Sequence, residues 1–155
     1  MKAYTSNNIR NIAVLGHGGK GKTTLCEAML YIAGASDRLG RVADGNTVLD
    51  FDSEEKRRKS SVSSAMAALE WDNTKLNIID APGLFDFEGG AAEAVRAAEA
   101  VLIVTSAGSG VDVGTEKAFR AAEKKGAAKF FAVTKTDSDH RNFYKTFDAL
   151  KEVYG

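Results

Sequence analysis

Residues 16–23 read GHGGKGKT, and this stretch decides the fold. It satisfies the pattern G-x-x-x-x-G-K-[ST], follows an apolar, β-branched segment at 9–16 and opens a helical pattern at 22–34. Glycines in such a loop let successive backbone N–H groups point at phosphate oxygens, and the start of the helix adds its positive end. A glycine-rich turn that binds nothing is the alternative, but Gly-Lys-Thr at the helix start argues against it. The stretch predicts a nucleotide-binding loop.

The polar side chains of this loop differ in how clearly their chemistry can be assigned. Lys22 is suited to neutralise the β- and γ-phosphates of a nucleotide, and Thr23 to offer its hydroxyl to Mg²⁺. His17 either contacts phosphate or is a packed or solvated loop side chain, and we favour the second. Lys20 either adds charge near the phosphates or faces water, and we again favour the second. The candidate nucleotide-binding set of the loop is His17, Gly18, Gly19, Lys20, Gly21, Lys22, Thr23 and Thr24.

The charge balance and composition exclude several classes of protein. Lys plus Arg equals Asp plus Glu at 21 each, so the total charge gives no general attraction to DNA or to an acidic membrane surface. The first ten residues lack an apolar core of signal-peptide length, and no run approaches the roughly 18 apolar residues of a membrane span. The one cysteine, Cys26, cannot form a disulfide within the chain. We therefore expect one cytoplasmic domain with no membrane or DNA partner.

A polar stretch occupies about 34 to 60, and strand and helix patterns alternate along the rest of the chain. Strands are predicted at 62–71 and 75–80, joined by the turn DNT, with buried strands at 101–107 and 128–135, and helices at 88–100, 111–126 and 140–155. Continuous apolar strands separated by helices imply a mainly parallel sheet that is covered on both faces. The sequence therefore predicts a single α/β domain.

Two further polar stretches follow predicted strands of this sheet. DAPG (80–83) comes after KLNII, and TKTD (134–137) comes after AKFFAV. Ligands of open α/β sheets bind beyond the carboxyl ends of the strands, so these stretches and the phosphate loop can share one crevice. The carboxylate of Asp137 can accept hydrogen bonds from N1–H and the exocyclic amino group of guanine, a pairing that adenine does not offer, while the stem of Lys135 can lie across the base. The alternative is an ATP-using protein in which TKTD is a coincidence.

These stretches together resemble the G domain of the translational GTPases, specifically elongation factor G and its paralogues. The resemblance runs through NIAVLGHGGKGKTT, DGNTVLDFDSEEKRRKSSVSSA, LNIIDAPGLFDF and FFAVTKTD. It implies binding of GTP and GDP with Mg²⁺, GTP hydrolysis, and action on the ribosome through the full-length protein.

The same resemblance implies the three-layer α/β fold of the P-loop NTPases (GTPases). In that fold the sheet is mostly parallel with one antiparallel edge strand, which here is the 62–71 segment. It also implies that residues 1–155 form a GTP-binding (G) domain that is incomplete at its C-terminal end. The later strand and short loop that back up guanine recognition in the family are expected to be missing.

The resemblance also assigns roles to individual residues. Ser61 matches the first-switch threonine that joins Mg²⁺ in the GTP state, Asp80 the residue that holds Mg²⁺ through water, and Gly83 the residue whose N–H senses the γ-phosphate. The predicted metal set is Thr23, Ser61 and Asp80, the catalytic set is Lys22, Ser61 and Gly83, and the base set is Thr134, Lys135 and Asp137.

Four positions depart from the family pattern. Thr134 replaces an asparagine, Gly19 replaces an aspartate, and Lys59 replaces a glycine and is expected to stiffen the turn before Ser61. Leu84 stands where the family has the histidine that positions the attacking water.

Leucine can neither donate nor accept a hydrogen bond, so Leu84 bears directly on catalysis. The first interpretation is that ribosome-stimulated hydrolysis is reduced by roughly 10²- to 10⁴-fold, which leaves a guanine-nucleotide switch with little or no GTPase activity. The second is that Leu84 is a hydrophobic gate and that another group orients the water.

Overall fold

The computed structural model describes residues 2–83, 88–137 and 142–155. Within these ranges the strands and helices follow the alternating order that the sequence predicts. The strands are β1 (Ile9–Leu15), β2 (Ala65–Trp71), β3 (Thr74–Asp80), β4 (Ala100–Ser106) and β5 (Ala128–Thr134), and the α-helices are α1 (Lys22–Ile32), α2 (Ser53–Arg58), α3 (Glu88–Ala97), α4 (Val113–Lys125) and α5 (Phe143–Tyr154). Two short 3₁₀ turns lie at Ser6–Asn8 and Val42–Asp44.

The strands form one sheet in the order β2-β3-β1-β4-β5. All neighbouring pairs are parallel except β2 and β3, which pair antiparallel from Ala65 opposite Asp80 to Trp71 opposite Thr74. Asp72 and Asn73 make the tight turn between them with φ of 44° and 57°, since two positive φ angles match the twist of the flanking strands. The predicted mostly parallel sheet with one antiparallel edge strand is confirmed.

Side chains alternate between the two faces of the sheet and fill a core on each. In β1, Ala13 and Leu15 join the cluster under α3 and α4, while Val14 joins the cluster that contains Cys26 and Leu30 of α1. The same alternation separates neighbouring residues of β3 and β4, because successive strand residues point to opposite faces. Helices therefore cover both faces, and the three-layer prediction is confirmed.

The fifth strand departs from the expected burial. The sequence predicts a buried strand at 128–135, but β5 pairs with β4 on one side and its first three residues are exposed, Phe130 by 58%. Apolar composition shows that a strand can be buried, but it does not show that another part of the chain packs against it. Its carboxyl end is less exposed, because Phe131 stacks with Phe119 of α4 and Tyr154 of α5.

The polar stretch before β2 contains more structure than its composition suggests. The helix α2 begins after Asp52, whose side chain accepts from the N–H of Glu54, while the side chain of Glu55 accepts from the N–H of Asp52. This reciprocal capping is readable in the sequence as Asp-x-x-Glu. Among the described residues, no helix is long and apolar enough to cross a membrane.

Candidate nucleotide-binding site

The phosphate loop runs from the end of β1 to the start of α1 and depends on glycine. Gly16 has φ of 140°, and a Cβ there would lie 2.2 Å from the carbonyl oxygen of Val104 in β4. Gly19 and Gly21 also have positive φ, 72° and 87°, and Gly21 directly precedes α1 in the left-handed conformation. Glycine adopts such angles without steric cost. The loop therefore packs tightly on the sheet while the first N–H groups of α1 face outward, as anion binding at a helix start requires.

Lys22 lies beneath this loop with its side chain turned inward. It is 6% exposed, and its ammonium donates to the carbonyl oxygen of His17 at 3.2 Å. Burial lowers the pKa of Lys22, and the nearby carboxylate of Asp80 opposes that shift. Gly83 approaches from β3, and a Cβ there would lie 2.2 Å from Nζ of Lys22 and 2.7 Å from the backbone nitrogen of Gly18. Lys22 thus places a cation where two glycine segments meet.

Four oxygen-bearing side chains, which we call the oxygen cluster, converge beside Lys22. The hydroxyl of Thr23 donates to Oδ2 of Asp80 at 2.5 Å and lies 3.1 Å from the hydroxyl of Ser61. The Ser61 hydroxyl in turn donates to Oδ1 of Asp50 at 2.7 Å. Asp50 and Asp80 are buried, 4% and 1% exposed, and their other oxygens have no hydrogen-bond partner among the described residues. The cluster consists of Thr23, Asp50, Ser61 and Asp80.

The electrostatics of this cluster favour a bound cation. Burial, together with the negative charge of Asp50, raises the pKa of Asp80 to about 7, against the hydrogen bond from Thr23 and the charge of Lys22. Burial also raises the pKa of Asp50, which the hydrogen bond from Ser61 opposes. Buried carboxylates with unpaired oxygens are stable as anions only beside a compensating positive charge. The cluster therefore offers hard oxygen ligands to a small cation.

Asp50 is the site residue that the sequence prediction missed. It lies within the polar stretch from about 34 to 60, where no strand or helix period marks it as a site residue. The available signal is its neighbour Leu49, an apolar residue that is 1% exposed in the core under α1. A buried residue inside a polar loop indicates a segment that folds back on the sheet.

The turn before Ser61 contains a strained residue. Lys59 caps the end of α2 with φ of 53°, the left-handed conformation that glycine would adopt at lower cost, by about 1 kcal/mol or more. Its backbone N–H bonds to the carbonyl oxygen of Glu55, and Lys59 lines the same cavity as Ser61. Lys59, which replaces the family's glycine, therefore keeps the backbone conformation of a glycine turn.

One cavity of about 230 Å³ joins these parts. Its walls come from the phosphate loop and α1, from the segment around Asp50 and Ser61, from Gly83, and from Lys135 beyond β5. The ammonium of Lys135 donates to the carbonyl oxygen of Gly19 at 2.6 Å, so its stem passes along the rim of the loop. The cavity is thus lined by most of the predicted phosphate loop, by Thr23 and Ser61 of the predicted ion set and by Lys135 of the predicted base set, whereas Asp80, Thr134 and Asp137 are not among its lining residues.

A hydroxyl joins the base end of the crevice to the phosphate loop. Oγ1 of Thr134 lies 2.5 Å from the carbonyl oxygen of Lys20 and 3.0 Å from that of Thr105. Thr134 thereby connects the end of β5 to the phosphate loop and to β4. Lys135 follows with φ of 55°, and both it and Asp137 are exposed.

Comparison with known proteins identifies this arrangement. The family described as "Elongation factor Tu GTP binding domain" matches residues 7–154. The chain belongs to this family. An elongation factor G-like protein of Mycobacterium tuberculosis is 37% identical over 147 residues, which cover 95% of this chain and 21% of the relative. Elongation factor G of Granulibacter bethesdensis is 34% identical over 152 residues, which cover 98% and 22%.

A solved structure confirms the fold within this GTP-binding family. A crystal structure of a protein from Thermus thermophilus has a TM-score of 0.89 and 41% identity over 94% of this chain and 22% of that one. The chain therefore spans about a fifth of the length of these relatives. The predicted resemblance to elongation factor G and its paralogues is confirmed.

The GTP-binding fold places most predicted residues together and corrects one interpretation. Lys20 does not face water, because its ammonium forms an ion pair with Asp112 at 3.1 Å and both side chains are largely covered, with exposures of 16% and 20%. Asp112 also caps α4 through the N–H of Thr115, so Lys20 joins the loop to that helix.

The remaining predicted residues lie at the loop or outside the described ranges. His17 is half-buried, its Nδ1 lies 3.1 Å from the carbonyl oxygen of Gly18, and its backbone packs against Gly114. Thr24 is exposed on the cavity wall. Leu84, at the position of the family's histidine, lies outside the described residues.

Proposed function

We propose that this chain binds GTP and GDP together with Mg²⁺ as the nucleotide switch of an elongation factor G-like translation factor. The observation that carries the proposal is the convergence of the phosphate loop, Lys22 and the oxygen cluster on one cavity. In this arrangement the outward N–H groups of α1 and the ammonium of Lys22 receive the phosphates. Lys135 and Asp137 receive the base at the other end.

The oxygen cluster fits Mg²⁺ by its chemistry. Mg²⁺ prefers oxygen ligands and usually binds through one or two carboxylates, water and substrate phosphates, rather than in an all-protein cage. The described residues contain no group of three or more His, Cys, Asp or Glu side chains that could hold a metal, whereas the cluster combines two carboxylates with two hydroxyls. Thr23 and Ser61 would bind the ion, and Asp80 and Asp50 would hold it through water. When bound, the ion neutralises charge on the β- and γ-phosphates.

Preference for guanine would come from Asp137. Its exposed carboxylate is available to pair with N1–H and the amino group of guanine, and Lys135 lies along the approach of the base. The direct test is displacement of a fluorescent GDP from the chain by GDP, GTP and ADP in the presence of Mg²⁺. Displacement by the guanine nucleotides alone supports the proposal, and equal displacement by ADP overturns the base assignment.

A second test isolates the base-reading side chain. In Asp137→Asn the amide can pair with xanthine in place of guanine, so preference should shift from GTP toward xanthosine triphosphate. The exposure of Asp137 means that the unfolding free energy should change by less than about 0.5 kcal/mol. Unchanged preference would show that another group reads the base.

Hydrolysis depends on the residue after Gly83. Phosphoryl transfer relies on positioning and charge stabilisation, so loss of a water-orienting group lowers the rate and leaves binding intact. We infer weak hydrolysis, with Gly83 placed to sense the γ-phosphate and Lys22 to stabilise its charge. Leu84→His in the full-length protein should raise ribosome-dependent turnover, and no gain would favour the alternative that another group orients the water.

The whole protein would act in protein biosynthesis on the ribosome, in the cytoplasm, through segments beyond this chain. The names of its relatives, elongation factor G and elongation factor G-like protein, support that proposal. Turnover measured with and without ribosomes separates a GTPase from a binding switch that hydrolyses little.

A further inference from the structure

Two buried glutamates lie outside the oxygen cluster and are not among the residues assigned above. Glu27 in α1 is 0% exposed and Glu55 in α2 is 2% exposed. Glutamate is rarely buried unless its charge is satisfied. In both cases Oε1 accepts from backbone N–H groups of the segments that carry Asp50 and Ser61, whereas Oε2 of Glu27 is buried without a hydrogen-bond partner among the described residues.

Glu27 holds the segment that leads into Asp50. Its Oε1 accepts from the N–H of Val48 at 2.7 Å and from that of Leu49 at 3.0 Å, the two residues directly before Asp50. The same carboxylate also packs against the start of this loop, since a Cβ at Gly40 would lie 2.1 Å from Oε2 of Glu27. Hydrogen bonds to a carboxylate are roughly twice as strong as neutral ones. One side chain of α1 therefore fixes where Asp50 lies.

Glu55 holds the segment that leads away from Ser61. Its Oε1 accepts from the N–H of Val62 at 3.0 Å and from that of Ser63 at 3.1 Å, the two residues directly after Ser61. Its Oε2 accepts from the N–H of Asp52 at 3.3 Å, so the same carboxylate also caps α2. The pattern matches that of Glu27: one buried oxygen receives two successive N–H groups next to a cluster residue.

We propose that Glu27 and Glu55 are positioning residues that bring Asp50 and Ser61 into the arrangement that receives the ion. The inference rests on the proposed nucleotide and Mg²⁺ site. The Ser61–Asp50 hydrogen bond of 2.7 Å joins two segments that are each fixed by one of these carboxylates, so the two ligand groups meet through contacts made within the chain. Removing a group that orients metal ligands typically lowers metal affinity by about 10- to 100-fold.

The first experiment measures the Mg²⁺ concentration that half-maximally slows release of a fluorescent GDP from the chain. Glu27→Leu and Glu55→Leu remove the acceptor and should raise this concentration by about tenfold or more. Glu27→Gln and Glu55→Gln keep an acceptor oxygen and should stay within about threefold of the wild-type chain, because the orienting contact survives.

Asn11→Ala is the control for general destabilisation. Asn11 accepts from Asn77 at 2.7 Å and donates to the carbonyl oxygen of Ala97 at 3.1 Å, contacts that lie away from the crevice. This variant should lower the unfolding free energy without raising the Mg²⁺ requirement. An equal rise in Asn11→Ala and the leucine variants would overturn the inference.

The second experiment is amide hydrogen exchange on the chain without nucleotide. Glu27→Leu should lose protection at residues 48 and 49 and keep it at 62 and 63, and Glu55→Leu should show the reverse. Glu27→Asp keeps the carboxylate but draws it back by one methylene and should lose protection at 48 and 49, so it serves if the leucine variant does not fold.

The two experiments separate this inference from the proposed function. Absence of Mg²⁺-dependent GDP retention in the wild-type chain would contradict the proposed function, while exchange would still test the positioning. The inference would be contradicted if the exchange rates of amides 48, 49, 62 and 63 were the same in the variants as in the wild-type chain.

Discussion

The two ends of the crevice are built differently. At the phosphate end, Lys22 and the oxygen cluster are linked to one another by hydrogen bonds and charge, and their carboxylates are almost fully buried. At the base end, Lys135 and Asp137 are exposed. Groups that are fixed within the chain need little ordering when a ligand binds, whereas exposed groups must be ordered by the ligand itself. The phosphate end therefore contributes to the stability of the fold and to nucleotide binding. The base end contributes mainly to the choice of base.

The largest effect is expected when the cation of the phosphate end, Lys22, is removed. Lys22→Ala removes the ammonium that lies beneath the loop and opposes the buried charge of Asp80. Truncating one partner of a buried charged contact costs about 2–5 kcal/mol, so GDP affinity should fall by roughly thirtyfold or more. A titration with fluorescent GDP measures this loss. A decrease of only a few-fold would mean that backbone N–H groups alone bind the phosphates.

A smaller effect is expected where two glycine segments touch. In Gly83→Ala the new Cβ would lie 2.7 Å from the backbone nitrogen of Gly18 and 2.8 Å from the carbonyl oxygen of Gly16, so backbone must move. We expect the unfolding free energy to fall by about 1–3 kcal/mol, as for other overpacked sites.

Gly89→Ala is the matched control for this variant. Among the described residues, nothing beyond its neighbours in α3 lies within 4 Å of a Cβ at Gly89, and alanine at this second position of the helix should stabilise it by no more than about 0.5–1 kcal/mol. Denaturant unfolding compares the two variants, and equal effects would contradict the close approach at Gly83.

The fold could be predicted from the sequence because its signals are local. Gly16 marks a position with no room for a Cβ and Gly21 a left-handed turn into α1, and apolar strands between helical patterns indicate a sheet covered on both faces. The prediction failed at β5, because burial of a strand depends on what packs beside it, and the described residues leave Phe130 58% exposed.

The candidate site could be predicted only in part, because some of its contacts are distant in sequence. Thr23, Ser61 and Asp80 were identified from motif and resemblance, and they do converge. Asp50 was missed since its position depends on Glu27 in α1, which no local pattern reveals. The orientation of Lys20 was wrong for the same reason, because the attracting charge is Asp112 at the start of α4.

A variant at Asp112 tests whether the contacts that fix the phosphate end extend to α4. Asp112→Asn removes the ion pair with Lys20 and keeps a residue that caps helices equally well. Since the pair is partly exposed, the unfolding free energy should fall by about 1 kcal/mol or less. Asp112→Ala also loses the cap and should cost about 1 kcal/mol more, measured by denaturant unfolding. Equal losses in the two variants would show that the cap contributes nothing.

The same pair predicts a dependence on pH. Burial alone would raise the pKa of Asp112, but hydrogen bonds from Thr115 and Lys20 hold this pKa below its ordinary value. A lowered carboxyl pKa stabilises the fold above the unfolded pKa of about 3.9, and this stabilisation is lost as pH falls through the folded value. The difference in unfolding free energy between wild type and Asp112→Asn should therefore be constant near pH 7 and shrink in acid. A difference that grows on acidification would contradict the sign of this shift.

The smallest expected effect lies at the base end. Lys135→Ala removes an exposed side chain whose ammonium donates to the carbonyl oxygen of Gly19. The unfolding free energy should change by no more than about 0.5 kcal/mol, as at other surface positions. Affinity for GDP should fall by less than in Lys22→Ala, and an equal loss would remove the contrast between the two ends.

The two ends nevertheless meet, through the hydrogen bond from Lys135 to Gly19 and through the hydroxyl of Thr134, which lies close to the carbonyl oxygens of both Lys20 and Thr105. Because this hydroxyl is shared between the end of β5 and the phosphate loop, a change in the position of one requires the other to adjust. The residue that begins the proposed base-reading stretch is therefore also part of the support of the phosphate loop.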